Sequence, residues 1–261
     1  MPTANVNDTT LHYRFDGPED APVILISNSL ASNLTMWDHQ IDTLLGLGFR
    51  VLRYDSRGHG QSGVPSGPYS IEMLTADAIG LLDALGIERA SLMGCSKGGM
   101  VGQMAGTKHG DRIDRLVLGS TAAYMGGGDV WAARIEAVTN GGMAAVVDAT
   151  IDRWITGPGQ ERIPADVARV REMILATPPE GFVACAHAIA AMDQRESIRA
   201  IDRPTLVVVG EDDPGTPPSA ARLIHDRIAG SKLVVLEESA HFCNIEQAGP
   251  FNAALEEFLG A

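Results

Sequence analysis

Short apolar runs alternating with helix-like stretches predict an α/β protein built on a mostly parallel sheet covered by helices on both faces. Three observations carry this. Runs such as those at residues 23–26 and 206–209 are of strand length and rich in β-branched residues. The segments between them repeat their apolar residues at helical spacing. Glycine or proline stands at many of the junctions.

Seven strands follow from the pattern, at residues 10–15, 22–28, 49–54, 90–94, 115–118, 205–210 and 232–236. The clearest helix spans 71–85, with Ser70 as N-cap and Gly86 as stop. Leu74, Ala78, Leu81, Leu82 and Leu85 share one of its faces. After Leu118 the rhythm breaks, and the next strand begins only at Thr205. Helical patterns at 131–138, 143–154, 165–176 and 181–192 fill the gap. This is expected to be a helical lid (122–199) inserted in a core made of 1–121 and 200–261. Gly126, Gly127 and Gly128 read as a flexible entry to that lid.

The bulk properties narrow the function. A chain of 261 residues, 45% hydrophobic and 20% charged, can bury its own core. A formal net charge of −13 argues against nucleic acid or an anionic membrane as partner. No basic region followed by an apolar stretch opens the chain, and no apolar run is long enough to cross a bilayer. Cys95, Cys185 and Cys243 are odd in number and widely spaced. They fit neither a disulfide framework nor a zinc site, and a reducing cytoplasm is the expected location. No group of residues has metal-ligand spacing, and no organic cofactor is implied. The sequence leaves the oligomeric state open, a homo-oligomer included.

The chemistry gathers at strand ends. Gly94-Cys95-Ser96-Lys97-Gly98-Gly99 follows the strand at 90–94 and opens a helical run. A serine on such a turn is pushed out above the sheet, with glycines at its flanks because side chains there would meet backbone. A serine needs a base. Among His12, His39, His59, His109, His187, His225 and His241, only His241 follows a late strand by a few residues. The base in turn needs a carboxylate, and Glu211-Asp212-Asp213 directly follows the strand at 205–210. Asp213 is the expected partner, which gives the chain order Ser…Asp…His. The oxyanion is expected to meet the N–H groups of Lys97 and of Leu30, the latter in the loop after 22–28. The Lys97 side chain either adds positive potential or points to solvent, the commoner fate of a lysine. Asp55–Ser62 reads as a structural turn braced by Arg57 and Asp55 rather than as a phosphate loop. Trp131, Arg134 and Trp154 in the lid are candidate substrate contacts.

From these residues the chain resembles bacterial 3-oxoadipate enol-lactonases, a branch of the α/β-hydrolases, over 13–259. Features general to the superfamily are 55–62, 94–99, 210–213 and His241. More specific to the branch are Ser27-Asn28-Ser29-Leu30 with Met36-Trp37-Asp38, Arg53-Tyr54-Asp55 and Gly67-Pro68-Tyr69-Ser70-Ile71. So are Ala176-Thr177-Pro178-Pro179-Glu180-Gly181 in the lid and the run His241-x-x-Asn244-x-Glu246-Gln247. The resemblance implies an eight-stranded sheet with the lid between the sixth and seventh strands. It also implies a serine hydrolase that opens 3-oxoadipate enol-lactone through an acyl-enzyme on Ser96. That substrate is anionic, and Arg134 is the first candidate for its carboxylate, Lys97 the second. Cys95 and Lys97 depart from what many relatives carry, which leaves substrate choice open. A broad carboxylesterase and a hydrolase-fold receptor with little turnover are the alternatives. Lyase chemistry would need a proton-transfer group in the lid, where His187 is the only histidine.

Overall fold

A computed structural model describes residues 2–126 and 128–260. Eight strands form one sheet: β1 (Thr3–Val6), β2 (Thr9–Asp16), β3 (Val23–Ser27), β4 (Arg50–Tyr54), β5 (Ala90–Cys95), β6 (Ile113–Gly119), β7 (Thr205–Gly210) and β8 (Lys232–Leu236). Their order is β1-β2-β4-β3-β5-β6-β7-β8. β1 and β2 pair antiparallel at one edge, and β3 to β8 run parallel. β5 and β7 are buried along their whole length, as expected of parallel strands covered on both faces. The pattern reading missed β1. That strand is four residues long, lies at the edge and buries only Val6, so it carries no run of apolar residues to notice.

The strand order decides where a ligand can sit. From β3 the chain steps to β4 on one side, then returns past β3 to build β5 and β6 on the other. Connections diverge there, leaving a crevice above the carboxyl ends of β3 and β5. Register pairs Ser27 with Gly94, so the loop after β3 stands level with the turn after β5.

The helix Ile71–Ala84 forms as its pattern predicts. The Ser70 side chain accepts from the Met73 N–H at 3.1 Å, and Gly86 (φ +69°) follows its last turn. Leu74, Ala78, Leu81 and Leu82 are buried on its sheet side. The helix Lys97–Lys108 is buried over its first ten residues and packs against β5 and β6.

Between β6 and β7 lie the helices Gly128–Gly141, Val147–Trp154, Gly157–Arg162, Pro164–Leu175 and Pro179–Ala191. The short Gly157–Arg162 helix was not predicted, because its Gly-Pro-Gly start reads as a loop; Thr156 caps it through the Gly159 N–H. Gly127, central to the expected hinge, lies outside the described residues. Among the described residues no single helix is long and apolar enough to cross a membrane.

Candidate active site

Ser96 sits between β5 and the helix Lys97–Lys108 with φ +55° and ψ −115°, a conformation that L-residues rarely adopt. Three hydrogen bonds hold it there. The Ser96 N–H donates to the Gly119 carbonyl (2.9 Å), and its own carbonyl accepts from the Met100 N–H (3.0 Å) and Thr121 Oγ1 (2.8 Å). The flanking glycines are needed for space: a Cβ on Gly98 would lie 2.1 Å from the Ser27 carbonyl oxygen, and one on Gly94 2.2 Å from that of Gly98. The turn is therefore built against the end of β3, which fixes the serine beside the loop that follows it.

His241 and Asp213 come to the same rim from the loops after β8 and β7. His241 Nδ1 stands 2.8 Å from Asp213 Oδ2. Asp213 Oδ1 accepts the N–H groups of Gly215 and Thr216, both at 2.9 Å, and Thr216 Oγ1 donates to Oδ2 at 2.7 Å. Burial raises the Asp213 carboxyl. The His241 ring and the Thr216 donors outweigh it and hold the group below the usual aspartate range. Asp212 and Glu211 are exposed, as a solvated turn should be. Trp154 stacks near His241 (centroids 6.1 Å apart), and its carbonyl accepts the Phe242 N–H at 2.8 Å, so the helical insertion props the histidine loop.

Ser96, His241 and Asp213 open onto one cavity. Ser96 is 9% exposed and its hydroxyl has no hydrogen-bond partner among the described residues. Such bonds are commonly long without substrate and tighten in the complex. Leu30 lines the same cavity. The N–H groups on either side of it are taken, Ser29 by Met36 Sδ (3.4 Å) and Ala31 by His59 Nε2 (3.1 Å), whereas that of Leu30 has no partner among the described residues. Lys97 opens a helix, so its N–H is also free of an intrahelical bond.

The Lys97 side chain overturns its expected course. It is fully buried rather than solvent-facing, and Nζ donates to Ser56 Oγ at 2.8 Å. Burial lowers its basicity, while Cys185, Asp77 and Asp55 oppose that. It does not line the cavity, and so falls away as a carboxylate partner. The reason is spatial: the first turn of its helix is covered on all sides, and the stem can extend only beneath the turn carrying Ser56.

Trp131, Arg134 and Trp154 all line the cavity. Arg153 joins them, a residue the sequence reading passed over. A signal for it exists: Thr150, Arg153 and Trp154 lie at spacings of three and four on the helix Val147–Trp154, and Thr150 and Trp154 are buried on it. Arg134 lies over the Trp131 ring at 5.0 Å, and Arg153 donates to Thr150 Oγ1 at 3.1 Å. Neither forms an ion pair among the described residues. Burial lowers the basicity of both, and for Arg153 the charge of Arg134 adds to it. The charge of Asp152 opposes this at Arg153. Two guanidiniums thus face one largely apolar cavity with no ion-pair partner among the described residues. His187 lines a separate groove with Glu180 and Pro179, away from Ser96. Among the described residues no grouping could hold a metal ion.

Fold and cavity define the class: the chain belongs to the alpha/beta hydrolase fold family, whose profile matches residues 22–248. More particularly, it is 36% identical to 3-oxoadipate enol-lactonase 2 of Acinetobacter baylyi, over 98% of this chain and 96% of that one. The crystal structure of the enol-lactonase from Burkholderia xenovorans superposes with a TM-score of 0.97 at 42% identity, covering all of both chains. A thermophilic esterase from Thermogutta terrifontis, solved with malate bound, matches at 29% identity and TM-score 0.91, over 99% of this chain and 97% of that one.

Proposed function

We propose that the protein is a serine hydrolase that opens the ring of 3-oxoadipate enol-lactone to 3-oxoadipate. His241, oriented by Asp213, takes the Ser96 proton as Oγ attacks the lactone carbonyl. The N–H groups of Leu30 and Lys97 hold the oxyanion. The ring C–O bond breaks, and the leaving enol takes the proton from His241 and relaxes to the ketone, which draws the opening forward. Water activated by His241 then releases the acyl group from Ser96. The insertion between β6 and β7 acts as the lid that closes this chamber. The three buried free cysteines suit a reducing cytoplasm.

The observation that carries the substrate assignment is the pair Arg134 and Arg153, lining the cavity without an ion-pair partner among the described residues in a protein with net charge −13. A free carboxylate on the lactone fills that need, and the enol-lactonase relatives point to the same substrate. Arg134→Ala and Arg153→Ala should each lower kcat/KM for the enol-lactone by about 10- to 100-fold, the worth of a charge-assisted hydrogen bond. The neutral ester p-nitrophenyl acetate should suffer far less. Equal losses on the two substrates would refute the assignment. The similarity to an esterase supports a second reading, a broad carboxylesterase, and a wild-type preference for p-nitrophenyl acetate over the lactone would favour it. Turnover well above one per site would dispose of a non-catalytic receptor. The lyase reading loses its ground, since His187 faces another groove.

A further inference from the structure

The turn Asp55–Ser62 carries a histidine that the reaction above does not use. His59 is fully buried, and its two nitrogens have different partners. Nδ1 lies 3.2 Å from the Arg57 carbonyl, which can only accept, so Nδ1 carries the proton. Nε2 is then a bare acceptor, and the Ala31 N–H donates to it at 3.1 Å. Ala31 itself has φ +55°, in the left-handed region that is strained for a non-glycine residue and persists only where its surroundings enforce it. Leu30, which lines the cavity and whose N–H has no partner among the described residues, is its immediate neighbour.

We propose that His59 is the positioning residue of the oxyanion hole: by accepting the Ala31 N–H it holds the strained turn that aims the Leu30 N–H at the carbonyl above Ser96. Asn28 and Ser29 are fixed independently. Asn28 Nδ2 donates to the Tyr54 carbonyl (2.6 Å), and the Ser29 carbonyl accepts from Ser32 Oγ (2.9 Å). Ala31 is the one link of the turn whose N–H rests on a titratable ring. The buried Lys97 ammonium serves the same end. Burial first, and then the Lys97 charge, push the His59 pKa down to about 3, so the ring stays neutral and keeps its acceptor. This gives the unexpected interior lysine a role: its charge helps keep His59 neutral, while the Arg57 carbonyl sets the tautomer. Cys185 Sγ, 4.0 Å from Nδ1, is itself pushed up to about 11 by burial and adds no charge at neutral pH.

The inference rests on the serine-hydrolase reading, and the experiment separates the two. Wild type, His59→Leu, His59→Gln and Ser96→Ala are compared on p-nitrophenyl acetate and with an aryl trifluoromethyl ketone, which forms a tetrahedral oxyanion adduct on a reactive serine. His59→Leu should lower kcat by about 10²-fold, the low end of the loss of an oxyanion donor. KM should move by less than about threefold, and ketone inhibition should weaken in step with kcat. In His59→Gln the amide oxygen can stand where Nε2 stood, and most of kcat should return. A His59→Leu enzyme with kcat within about twofold of wild type, or with kcat lost but ketone affinity intact, would overturn the proposal. Activity retained in Ser96→Ala would instead overturn the reading beneath it. Should His59→Leu fail to fold, ¹⁵N spectra of wild type decide: an unprotonated Nε2 is expected, and a protonated Nε2 could not accept from Ala31.

Discussion

At the scale of single residues the site is a chain of orientations, each fixed by the next group outward. Thr216 holds Asp213, Asp213 holds His241, and Thr121 and Gly119 hold the strained Ser96. Ser96→Ala should lower kcat by about 10⁶-fold if the three side chains act as a unit. Asp213→Asn should lower it by about 10⁴-fold through the wrong tautomer of His241. Steady-state kinetics on the lactone check both. Thr216→Val removes a donor from the Asp213 carboxylate, leaving its charge more available to the imidazole. The acid limb of the kcat/KM profile should therefore move to higher pH, and an unmoved limb would mean that Thr216 only packs.

At the scale of elements, the question is how a helical insertion is seated on the sheet. Glu246 answers part of it. Its buried carboxylate accepts the Ala240 N–H (2.9 Å) on the histidine loop and Thr156 Oγ1 (2.5 Å) in the insertion, tying the segment after Trp154 to the segment before His241. Gly181 answers another part: a Cβ there would stand 1.9 Å from the Gly58 carbonyl oxygen, so the start of the helix Pro179–Ala191 lies directly on the Asp55–Ser62 turn. Gly181→Ala must push these backbones apart. Thermal unfolding should show a loss of about 2 kcal/mol or more, larger than for a change at an exposed helix position. Ser70→Ala should cost about 1 kcal/mol by removing the cap of Ile71–Ala84, with activity kept.

At the scale of the whole molecule, the buried titratable groups make stability depend on acid. His59 is neutral in the fold down to about pH 3, but in the unfolded chain it takes a proton near its ordinary 6.5. Its contribution is complete above 6.5 and is lost as pH falls from there toward 3, because the unfolded state binds the extra proton. Asp213, held below the usual range, pushes in the same direction at lower pH. Melting temperature should therefore fall on acidification below about pH 6.5, and His59→Gln should flatten that fall. A slope unchanged in the variant would place the acid sensitivity elsewhere.

The sequence by itself determined the elements and the identities of the groups at their ends. Strand-length apolar runs, a capped helix and a glycine-flanked serine are local facts, each enforced by the chain within a few residues of itself. The order Ser96, Asp213, His241 was legible because a parallel sheet places every strand's carboxyl end on one rim. Tertiary structure alone decided what lies opposite what. The edge strand Thr3–Val6 exists because β2 offers it a partner, and its own residues advertise nothing. Lys97 is buried because its helix is enclosed, although a lysine's composition predicts solvent. Arg153 turns from a surface-like charge into a cavity wall because the insertion folds back over Ser96. Burial, pairing and the protonation of a ring depend on neighbours distant in sequence, and those neighbours are assigned only when the chain closes on itself.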